Sequence, residues 1–366
     1  MTITQNNISP ILSICIPTFN RARCLDNLLK NLQQIVSEHG SSIEICISNN
    51  HSTDGTAEVI KRWHSSLALR VTTQTKNIGS TRNFIAVSGM AMGKWIMLIG
   101  DDDELNIDNF RKLVTILRSS NCADWILVGV ADNSGKEILI GDLVPYRYNA
   151  AEFRKTVIRT GLYRFGFIGM HVFPAVDQPV LASLANAEDT IAMRQHWPHI
   201  HLLLDHIQTG PVQVFSLPVV IQEPYGTGEF WSAGDWVRVC LRKLNTVARV
   251  RDNVRFHKWF FTLLLLRELY SKRNTKEIII WKILEPVDFS RSIYLEFFKL
   301  YGLLGPLVFM ASAHAIFIMI LYFTPALVIS KFMDIMGYQY IHKQYRIKKL
   351  QARLIQRMPA SERLDS

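Results

Sequence analysis

Three consecutive carboxylates, Asp101, Asp102 and Asp103, follow directly after the short apolar run Lys94–Gly100. A short apolar run that ends in glycine is typical of a buried strand that delivers its next residues to the edge of a sheet. Adjacent carboxylates repel one another, whereas a divalent cation binds them and keeps coordination positions for substrate phosphates. The triplet therefore indicates a site for a metal and a phosphorylated ligand. The alternative is an acidic cap on a helix from about Asn106 to Arg118, since Asp is favoured at helix starts.

The elements that must position these acids alternate between strand and helix over residues 11–130. Strands are predicted at Ile11–Pro17, Ile43–Ser48, Leu67–Thr73, Lys94–Ile99 and Trp125–Val130, and helices at Ala22–Val36, Thr53–Trp63, Ser80–Met90 and Asp108–Arg118. This alternation predicts an α/β fold with a doubly wound, mostly parallel sheet. Ligands of such sheets bind at the carboxyl ends of the strands. Four polar loops are expected there, at Thr18–Arg23, Asn49–Gly55, Gln74–Asn83 and Gly100–Glu104.

Four motifs in these loops carry a resemblance to a known family. They are Ile14–Arg21, Ile47–Thr56, Asn77–Gly79 and Gly100–Asp103. Together they resemble glycosyltransferase family 2 of the GT-A fold over roughly residues 11–130. The Gly-Asp-Asp-Asp form is most similar to the abequosyltransferase-type enzymes of bacterial O-antigen synthesis. The resemblance implies a metal-dependent enzyme that transfers a sugar from a nucleotide diphosphate donor to a saccharide on a lipid diphosphate.

The resemblance also implies roles for residues of the four loops. The nucleoside would be held by Pro17, Thr18, Asn20 and Arg21, the base by Asn49, the base or phosphate by Asn77, the ribose by Asp101, the nucleotide by Asp102, and Mn²⁺ or Mg²⁺ by Asp102 and Asp103. A bound cation would stabilise the charge on the departing diphosphate. Arg82 is a further candidate for the nucleotide, although an arginine facing solvent on a helix is an equal alternative.

Two positions depart from the family pattern. The family usually has Asp at the position of Asn49, and Gly100 replaces the first acid of the usual Asp-x-Asp. An aspartate accepts the N3–H of uracil, whereas an asparagine amide also donates and cytosine N3 is an acceptor. Asn49 therefore suggests a cytidine diphosphate donor. The alternative is that Asn49 only supports the turn, as asparagine often does.

A second cluster of candidate residues lies at 184–206. In inverting members of the family, a Glu-Asp pair at a helix start supplies the base that deprotonates the acceptor, and Glu188-Asp189 is similar to that pattern. The same pair also complements a helix dipole without chemistry. His196 and His199 are candidates for the base or for binding acceptor or diphosphate, with a packed or surface histidine as the alternative. Trp197 and Trp231 suit stacking on sugar rings, but core packing is the default for both.

The carboxyl-terminal part differs in charge and hydropathy from the rest of the chain. The net charge of +10 arises from Trp231 onward, where 22 Lys/Arg stand against 10 Asp/Glu. Leu300–Ser330 contains no Asp, Glu, Lys or Arg, and basic residues flank it on both sides. Because a single span would leave one basic flank outside, we expect an in-plane or re-entrant apolar hairpin. Ile341–Met358 mixes apolar and basic residues, as interfacial helices do. A buried helical hairpin is the alternative for Leu300–Ser330.

These observations predict two domains in 366 residues. Residues 1–230 would be the glycosyltransferase domain, with nucleotide-sugar binding at 11–130 and the acceptor side at 131–230. Residues 231–366 would be a helical, basic, membrane-associated region with the apolar hairpin at 300–330. The polar start of the chain and five scattered cysteines indicate a peripheral or monotopic protein on the cytoplasmic face of the bacterial inner membrane, with no nucleic-acid partner.

The acceptor would be a polyprenyl-diphosphate-linked oligosaccharide of an O-antigen or surface polysaccharide. The donor would carry a hexose, or a dideoxyhexose such as abequose. Two rival functions remain open. A nucleotidyltransferase on a similar sheet normally has a first loop rich in Gly, Arg and Lys, which Pro17–Asn20 is not. A catalytically inactive membrane scaffold is the other.

Overall fold

The computed structural model describes residues 9–119, 124–139, 143, 145–177, 179, 197–222, 264 and 328–329. Within the amino-terminal part, strands and helices alternate as the sequence predicts, except that a short additional strand, Asp103–Leu105, follows the fourth strand with no helix between them. The strands are β1 (Leu12–Thr18), β2 (Ile43–Asn49), β3 (Leu69–Thr73), β4 (Trp95–Leu98), β5 (Asp103–Leu105) and β6 (Trp125–Asp132). The helices are α1 (Ala22–His39), α2 (Thr56–His64), α3 (Ser80–Ser88) and α4 (Ile107–Ser119).

Further elements follow where the family motifs end. They are β7 (Glu137–Leu139), β8 (Arg147–Tyr148), α5 (Ala150–Thr160), β9 (His171–Pro174), α6 (Pro198–His206) and β10 (Val212–Gln222). Short 3-10 turns at Leu162–Phe165 and Ile168–Met170 lead into β9. Asn149 caps α5 in a reciprocal arrangement, since its side chain accepts the Glu152 N–H and the Glu152 side chain accepts the Asn149 N–H.

The described strands form one mixed sheet in the order β3-β2-β1-β4-β9-β6-β10-β5, with β7 paired to β6 and β8 paired to β10. The pairs β1/β2, β2/β3, β1/β4 and β6/β10 are parallel. The prediction of a mostly parallel sheet needs a correction, because β9 lies antiparallel between β4 and β6. The short strand β9 thus joins the two parallel halves of the sheet.

The core explains why the sheet forms where the apolar runs lie. All seven residues of β1 are buried, as are the four of β4, since helices cover both faces of a sheet of this class. α1 packs one stripe onto the sheet, made of Leu25, Leu28, Leu29, Leu32 and Ile35. The largest fully buried side chains include Trp95 and Trp125, which anchor β4 and β6.

The chain divides into two compact units, Met1–Gly228 with Arg249–Phe261, and Glu229–Ala248 with Thr262–Ser366. All the elements above lie in the first unit. In the second unit the structure describes only residues 264, 328 and 329. Among the described residues, none belongs to a helix whose length and hydropathy would suit a bilayer span. The predicted hairpin at 300–330 and the interfacial segment Ile341–Met358 lie outside the described residues, apart from those two positions.

Candidate active site at the carboxyl edge of the sheet

The carboxyl ends of β1, β2, β3 and β4 meet at one edge, because these strands are parallel and in register. Thr18 lies beside Asn49, Asn49 beside Thr73, and Cys15 beside Leu98, so the acid triplet follows at the level of Thr18. Thr18 Oγ1 donates to Asp101 Oδ2 at 2.6 Å. The structure therefore brings the predicted first loop and the acid triplet into direct contact.

Asp101 is a buried carboxylate held from two sides. It accepts the Thr18 hydroxyl, and Arg21 Nη1 lies 3.5 Å from its second oxygen. Burial raises the pKa of Asp101 to about 7, although the Thr18 hydrogen bond and the Arg21 charge oppose the shift. Such a group is poised between its charged and neutral forms near neutral pH, as groups at functional sites often are.

Asp102 and Asp103 converge over Gly100. A Cβ on residue 100 would lie 2.8 Å from Asp102 Oδ1 and 2.8 Å from Asp103 Oδ2, so only glycine leaves room for both carboxylates. Asp103 is buried, whereas the Asp102 side chain is 46% exposed. Asp102 also forms an ion pair with Arg21. Burial and the neighbouring Asp102 charge raise the pKa of Asp103 well above its usual range. Gly100 thus replaces an acid for a steric reason.

This pair of carboxylates fits a hard divalent cation. Mg²⁺ and Mn²⁺ prefer oxygen ligands, and Mg²⁺ sites typically use one or two carboxylates and leave the other positions to water and phosphate. A cation would also offset the repulsion that raises the pKa of Asp103. Within the described ranges, no group of three or more His, Cys, Asp or Glu side chains is arranged to hold a metal. Among the described residues, Asp102 and Asp103 are the carboxylates offered to such a cation.

The acidic-cap alternative for the triplet is wrong. Asp103 begins the short strand β5, which pairs antiparallel with β10. Helix α4 is capped instead by Asn106, whose Oδ1 accepts the Asn109 N–H at 3.0 Å. Asn31 on α1 exchanges two hydrogen bonds with the backbone of Leu105, at 3.0 and 3.1 Å. These contacts with α1 and β10 fix the backbone that follows the acid triplet, and they do not involve the carboxylates of the triplet.

The loops after β1 and β2 are tied together by side chain to backbone bonds. Asn20 adopts a positive φ of 52°. Its Oδ1 accepts the Thr53 N–H at 2.7 Å, and its own N–H donates to Ser52 Oγ at 2.9 Å. One residue further on, the Arg21 N–H donates to Thr56 Oγ1 at 3.2 Å. Asn20 and the Arg21 backbone therefore brace the loop in which they were predicted to hold a nucleoside.

Asn49 is buried at the end of β2, and its amide is oriented by the turn. Its Oδ1 accepts the Ser52 N–H at 3.0 Å. Its Nδ2 makes no hydrogen bond within the described part of the chain, so the two amide hydrogens are left to a ligand. Asn49 can therefore support the turn through Oδ1 and donate hydrogen bonds to a ligand through Nδ2, so the two interpretations are compatible.

The third loop is tied to the second through two asparagines. Asn50 Nδ2 donates to Asn77 Oδ1 at 3.0 Å, and Asn50 Oδ1 accepts the Ile78 N–H at 2.9 Å. Asn77 Oδ1 also accepts the Gly79 N–H, and Gly79 has a positive φ of 83°. Arg82 is half-buried in the first turn of α3 and makes no hydrogen bond or ion pair within the described ranges. Its guanidinium is thus available to a phosphate.

Sequence reasoning missed three residues of this edge. Asn31 and Asn50 hold the loops, and the buried Asn83 exchanges bonds with Ser48 Oγ and Ser48 O at 2.6 and 3.0 Å. The density of asparagines in the loops was the available signal for Asn50 and Asn83, whereas Asn31 lies on α1 and had no such signal. Pro17 lies in β1 and pairs with Ser48, where it shapes the strand end without a polar contact of its own.

The predicted acceptor-side residues fare differently. Glu188, Asp189 and His196 lie outside the described residues, as does Trp231, so their roles stay predictions. His199 is buried in the first turn of α6, and its Nε2 contacts Gly166 O at 3.0 Å. Trp197 stacks on the His199 ring at a centroid distance of 5.5 Å. Within the described part no hydrogen bond or ion pair joins His199 to the acid triplet, and a catalytic role for it also stays a prediction.

A mixed sheet with loops and acids gathered at one carboxyl edge defines an α/β domain with a candidate ligand site at that edge. Residues 13–172 match the model of the family described as Glycosyl transferase family 2. This segment covers all four motifs and ends at the second of the four residues of β9. The family predicted from the motifs is thus the one whose model this amino-terminal segment matches.

Curated relatives align with this domain over part of their own length. The chain is 38% identical to the abequosyltransferase RfbV of Salmonella typhimurium over 111 residues, which cover 30% of this chain and 33% of that protein. It is 30% identical to the hyaluronan synthase of Pasteurella multocida over 166 residues, 44% of this chain and 16% of that protein. The alignments thus span a third or less of these two relatives.

Solved structures share the fold at low sequence identity. S. aureus TarS, residues 1–349, in complex with UDP superposes with a TM-score of 0.50 at 16% identity, over 92% of this chain and 91% of that one. The complex of TarS 1–349 with UDP-GlcNAc gives a TM-score of 0.51 at 14% identity, over 79% and 78%. At these identities the likeness establishes a GT-A-like α/β fold and nothing about the ligand of this chain.

Proposed function

We propose that the chain is a metal-dependent glycosyltransferase that moves a sugar from a nucleotide diphosphate to a saccharide hydroxyl. The observation that carries the proposal is the convergence of Asp102 and Asp103 over Gly100, beside two braced loops at the carboxyl edge of the sheet. Nucleotide-sugars present a diphosphate, a ribose and a base in a row, and this edge offers acids, hydroxyls and amides in a comparable row. The family of residues 13–172 supports the same class of reaction.

The chain's own residues divide the work of holding the donor. Asp102 and Asp103 would hold Mn²⁺ or Mg²⁺, which when bound supplies positive charge to the departing diphosphate. Asp101 is assigned to the ribose hydroxyls, with Thr18 fixing its carboxylate. Arg82 is assigned to a phosphate, because its guanidinium is uncommitted within the described residues and forked donors match phosphate oxygens.

The base assigned to this donor is cytosine. Asn49 Oδ1 is occupied by the Ser52 N–H, so the side chain presents donors and no further acceptor in that direction. Cytosine N3 accepts a hydrogen bond, whereas uracil N3 carries a hydrogen and would face the Asn49 amide hydrogens. A cytidine diphosphate donor carrying a dideoxyhexose such as abequose is consistent with the similarity to the Salmonella abequosyltransferase.

The acceptor side and the location are proposals from the sequence. Glu188 or Asp189 would deprotonate the acceptor hydroxyl, and His196 and His199 remain candidates near that side. The acceptor would be an oligosaccharide on a polyprenyl diphosphate at the cytoplasmic face of the inner membrane. The charge excess from Trp231 onward, 22 Lys/Arg against 10 Asp/Glu, suits anionic lipid headgroups there.

Calorimetric titration of the full chain tests the class of function and the base together. CDP, UDP, dTDP and GDP are titrated with and without Mn²⁺ into wild type, Asp102→Ala and the control Asp108→Ala. Asp108 is a suitable control because its side chain is 79% exposed on α4 and pairs with Arg111. We expect Mn²⁺-dependent binding that prefers CDP, is lost in Asp102→Ala and is kept in Asp108→Ala.

Each other outcome has a defined meaning. Preference for UDP or dTDP would keep the transferase and reject the cytidine assignment. Absence of binding to every diphosphate would reject the transferase in favour of an inactive scaffold. CTP is titrated as a fifth nucleotide, and its tight binding with release of pyrophosphate on turnover would indicate a nucleotidyltransferase instead.

A further inference from the structure

Arg21 forms an ion pair with Asp102, one of the two carboxylates proposed to bind the metal. Its Nη1 forms an ion pair with Asp102 Oδ2 and lies 3.5 Å from Asp101 Oδ1. It thus places one positive charge between two of the three adjacent acids. Of the two acids that Arg21 contacts, Asp102 is the more exposed: 46% of its side chain is exposed, against 8% for Asp101. Any cation that approaches from solvent meets Asp102 and its guanidinium partner first.

We propose that Arg21 is an exchangeable counter-ion that a divalent cation displaces from Asp102 and that then binds the donor diphosphate. This inference rests on the proposed function and goes beyond it. It assigns Arg21 two partners that it binds one after the other, first Asp102 and then the donor diphosphate. Arg21 and the cation compete for the same carboxylate, so their binding to Asp102 is mutually unfavourable. The diphosphate supplies new acceptors for the released guanidinium.

The anchoring of Arg21 suits such an exchange. Its backbone N–H donates to Thr56 Oγ1, and helix α1 begins at the next residue, so the Cα position is fixed. Its side chain remains 25% exposed at the edge of the site. An arginine side chain has several rotatable bonds, so the guanidinium can move by a few ångströms while the backbone stays in place. The acids themselves are held by Thr18 and by the strand β5.

The charges favour the exchange in the presence of a nucleotide. A divalent cation that replaces the guanidinium at Asp102 brings two positive charges to the acids in place of one. The diphosphate then adds negative charge beside the acids, and a freed arginine neutralises part of it through a bidentate contact. Without the diphosphate, the displaced guanidinium has lost its ion pair with Asp102 and has gained no phosphate in exchange, and this opposes metal binding.

The test measures metal and nucleotide binding separately on full-length Arg21→Gln. Glutamine keeps most of the side-chain length and removes the charge. The matched control is Arg62→Gln, which removes a surface ion pair with Asp26 in which Arg62 is 61% exposed. Mn²⁺ affinity without nucleotide is measured by electron paramagnetic resonance of free Mn²⁺, and CDP affinity at saturating Mn²⁺ by calorimetry.

We expect opposite changes in the two affinities. Arg21→Gln should bind Mn²⁺ alone about tenfold more tightly, since a competing cation is gone, and should bind CDP with Mn²⁺ about tenfold more weakly. The thermal shift that Mn²⁺ gives should be larger in Arg21→Gln than in wild type, because the metal replaces the lost counter-charge. Arg62→Gln should match wild type in all three measurements.

The remaining outcomes separate this inference from the proposed function. If wild type binds Mn²⁺ through Asp102 and Arg21→Gln binds it equally or more weakly, Arg21 does not compete and the inference fails while the transferase stands. If Mn²⁺ binding tightens but CDP binding does not weaken, the guanidinium is not transferred to the diphosphate and the inference fails. If wild type binds neither Mn²⁺ nor any nucleotide, the proposed function fails, and this inference fails with it.

Discussion

At the scale of single residues, the acid triplet shows how steric space decides which side chains share a site. Asp102 and Asp103 occupy the volume that a side chain at position 100 would need. Gly100 does not adopt a positive φ, so its role is to leave space and not to allow an unusual backbone. From the sequence alone, Gly100 is a glycine at a position where the family motif usually has an acid. In the structure, the absence of a side chain at Gly100 leaves the space that two carboxylates occupy.

Gly100→Ala should therefore damage the metal site with little effect on the rest of the domain. The new Cβ would lie 2.8 Å from an oxygen of each carboxylate, so one of them must move. We expect Mn²⁺ affinity to fall at least about tenfold and the free energy of unfolding to fall by about 1–3 kcal/mol. Electron paramagnetic resonance and urea unfolding provide the two measurements.

Gly55→Ala is the matched control for that substitution. Its φ is −71°, and a Cβ there meets only Ala22 Cβ, at the ordinary contact distance of 3.7 Å. It should bind Mn²⁺ as wild type does. Equal Mn²⁺ affinity in Gly100→Ala and wild type would mean that Asp102 and Asp103 do not act together on one ion.

Asn49→Asp tests base recognition at the same scale. An aspartate keeps the Ser52 N–H bond and replaces the two amide hydrogens of Asn49 with an acceptor oxygen. We expect the preference between CDP and UDP in calorimetry to shift towards UDP by about tenfold to a hundredfold, because one hydrogen bond reverses direction. Asn49→Ala should weaken both nucleotides together. An unchanged CDP/UDP ratio in Asn49→Asp would show that Asn49 does not contact the Watson–Crick edge of the base.

At the scale of elements, the loops and strands of residues 11–130 were predictable because local patterns encode them. Apolar runs such as Leu12–Thr18 and Ile43–Asn49 form buried strands, and polar loops follow them. Helix α2 begins at Thr56, three residues later than predicted, and the Thr53 N–H before it donates to Asn20 of another loop. Partners distant in sequence, like Asn31 for Leu105, leave no local signal.

The direction of strand β9 could not be predicted, because it also depends on partners distant in sequence. The segment His171–Pro174 is apolar enough for a strand, but its antiparallel position between β4 and β6 depends on pairing across the sheet. Its first residue, His171, is fully buried and contacts Phe165 O through Nε2 at 2.7 Å. A buried histidine in an apolar run reads from the sequence as a candidate for chemistry, whereas here it packs against Trp125 and His199.

Helix α6 carries two histidines whose protonation affects stability with opposite signs. Burial lowers the pKa of His199 to about 4 against the opposing contact with Gly166 O, so folding favours its neutral form. Burial also disfavours charge on His206, but the Asp177 carboxylate 2.9 Å from its Nδ1 raises the pKa of His206 above its usual value. His199 therefore stabilises the fold least in acid. His206 stabilises it below about pH 6.5 and loses this contribution as the pH rises through its raised pKa.

His199→Gln should make the protein less sensitive to acid. Between about pH 6.5 and 4 the unfolded chain takes up a proton at His199 that the folded chain does not, which costs about 1.4 kcal/mol of unfolding free energy per pH unit. Removal of the imidazole should flatten the curve of unfolding free energy against pH by that slope, as measured by urea unfolding. His64→Gln, an exposed change on α2, should keep the wild-type slope. A parallel curve for His199→Gln would mean that His199 is protonated in the folded protein.

At the scale of the whole molecule, the chain joins a near-neutral domain to a basic remainder. The first 230 residues contain nearly equal numbers of acidic and basic side chains, and the excess of positive charge follows them. Residues 13–172, which match the family model, contain the proposed donor site, and no described element accounts for the acceptor or its location. Electrostatic attraction to an anionic surface is a property of charge clusters and is readable from sequence without a fold.

The basic residues after the apolar segment should drive binding to anionic membranes in proportion to their number. Each Lys or Arg near such a surface contributes about 1 kcal/mol, so replacement of Lys343, Arg346, Lys348 and Lys349 by Gln should weaken partitioning by about 4 kcal/mol, roughly a thousandfold. Flotation with phosphatidylglycerol vesicles at low and high salt measures this, since salt screens the attraction. The control variant replaces four exposed cations of the amino-terminal domain, Lys61, Arg62, Lys76 and Lys112, and should float like wild type. Equal flotation of the two variants would locate the membrane contact elsewhere. Loss of flotation at high salt in wild type would show that charge, and not the apolar segment 300–330, provides most of the binding energy.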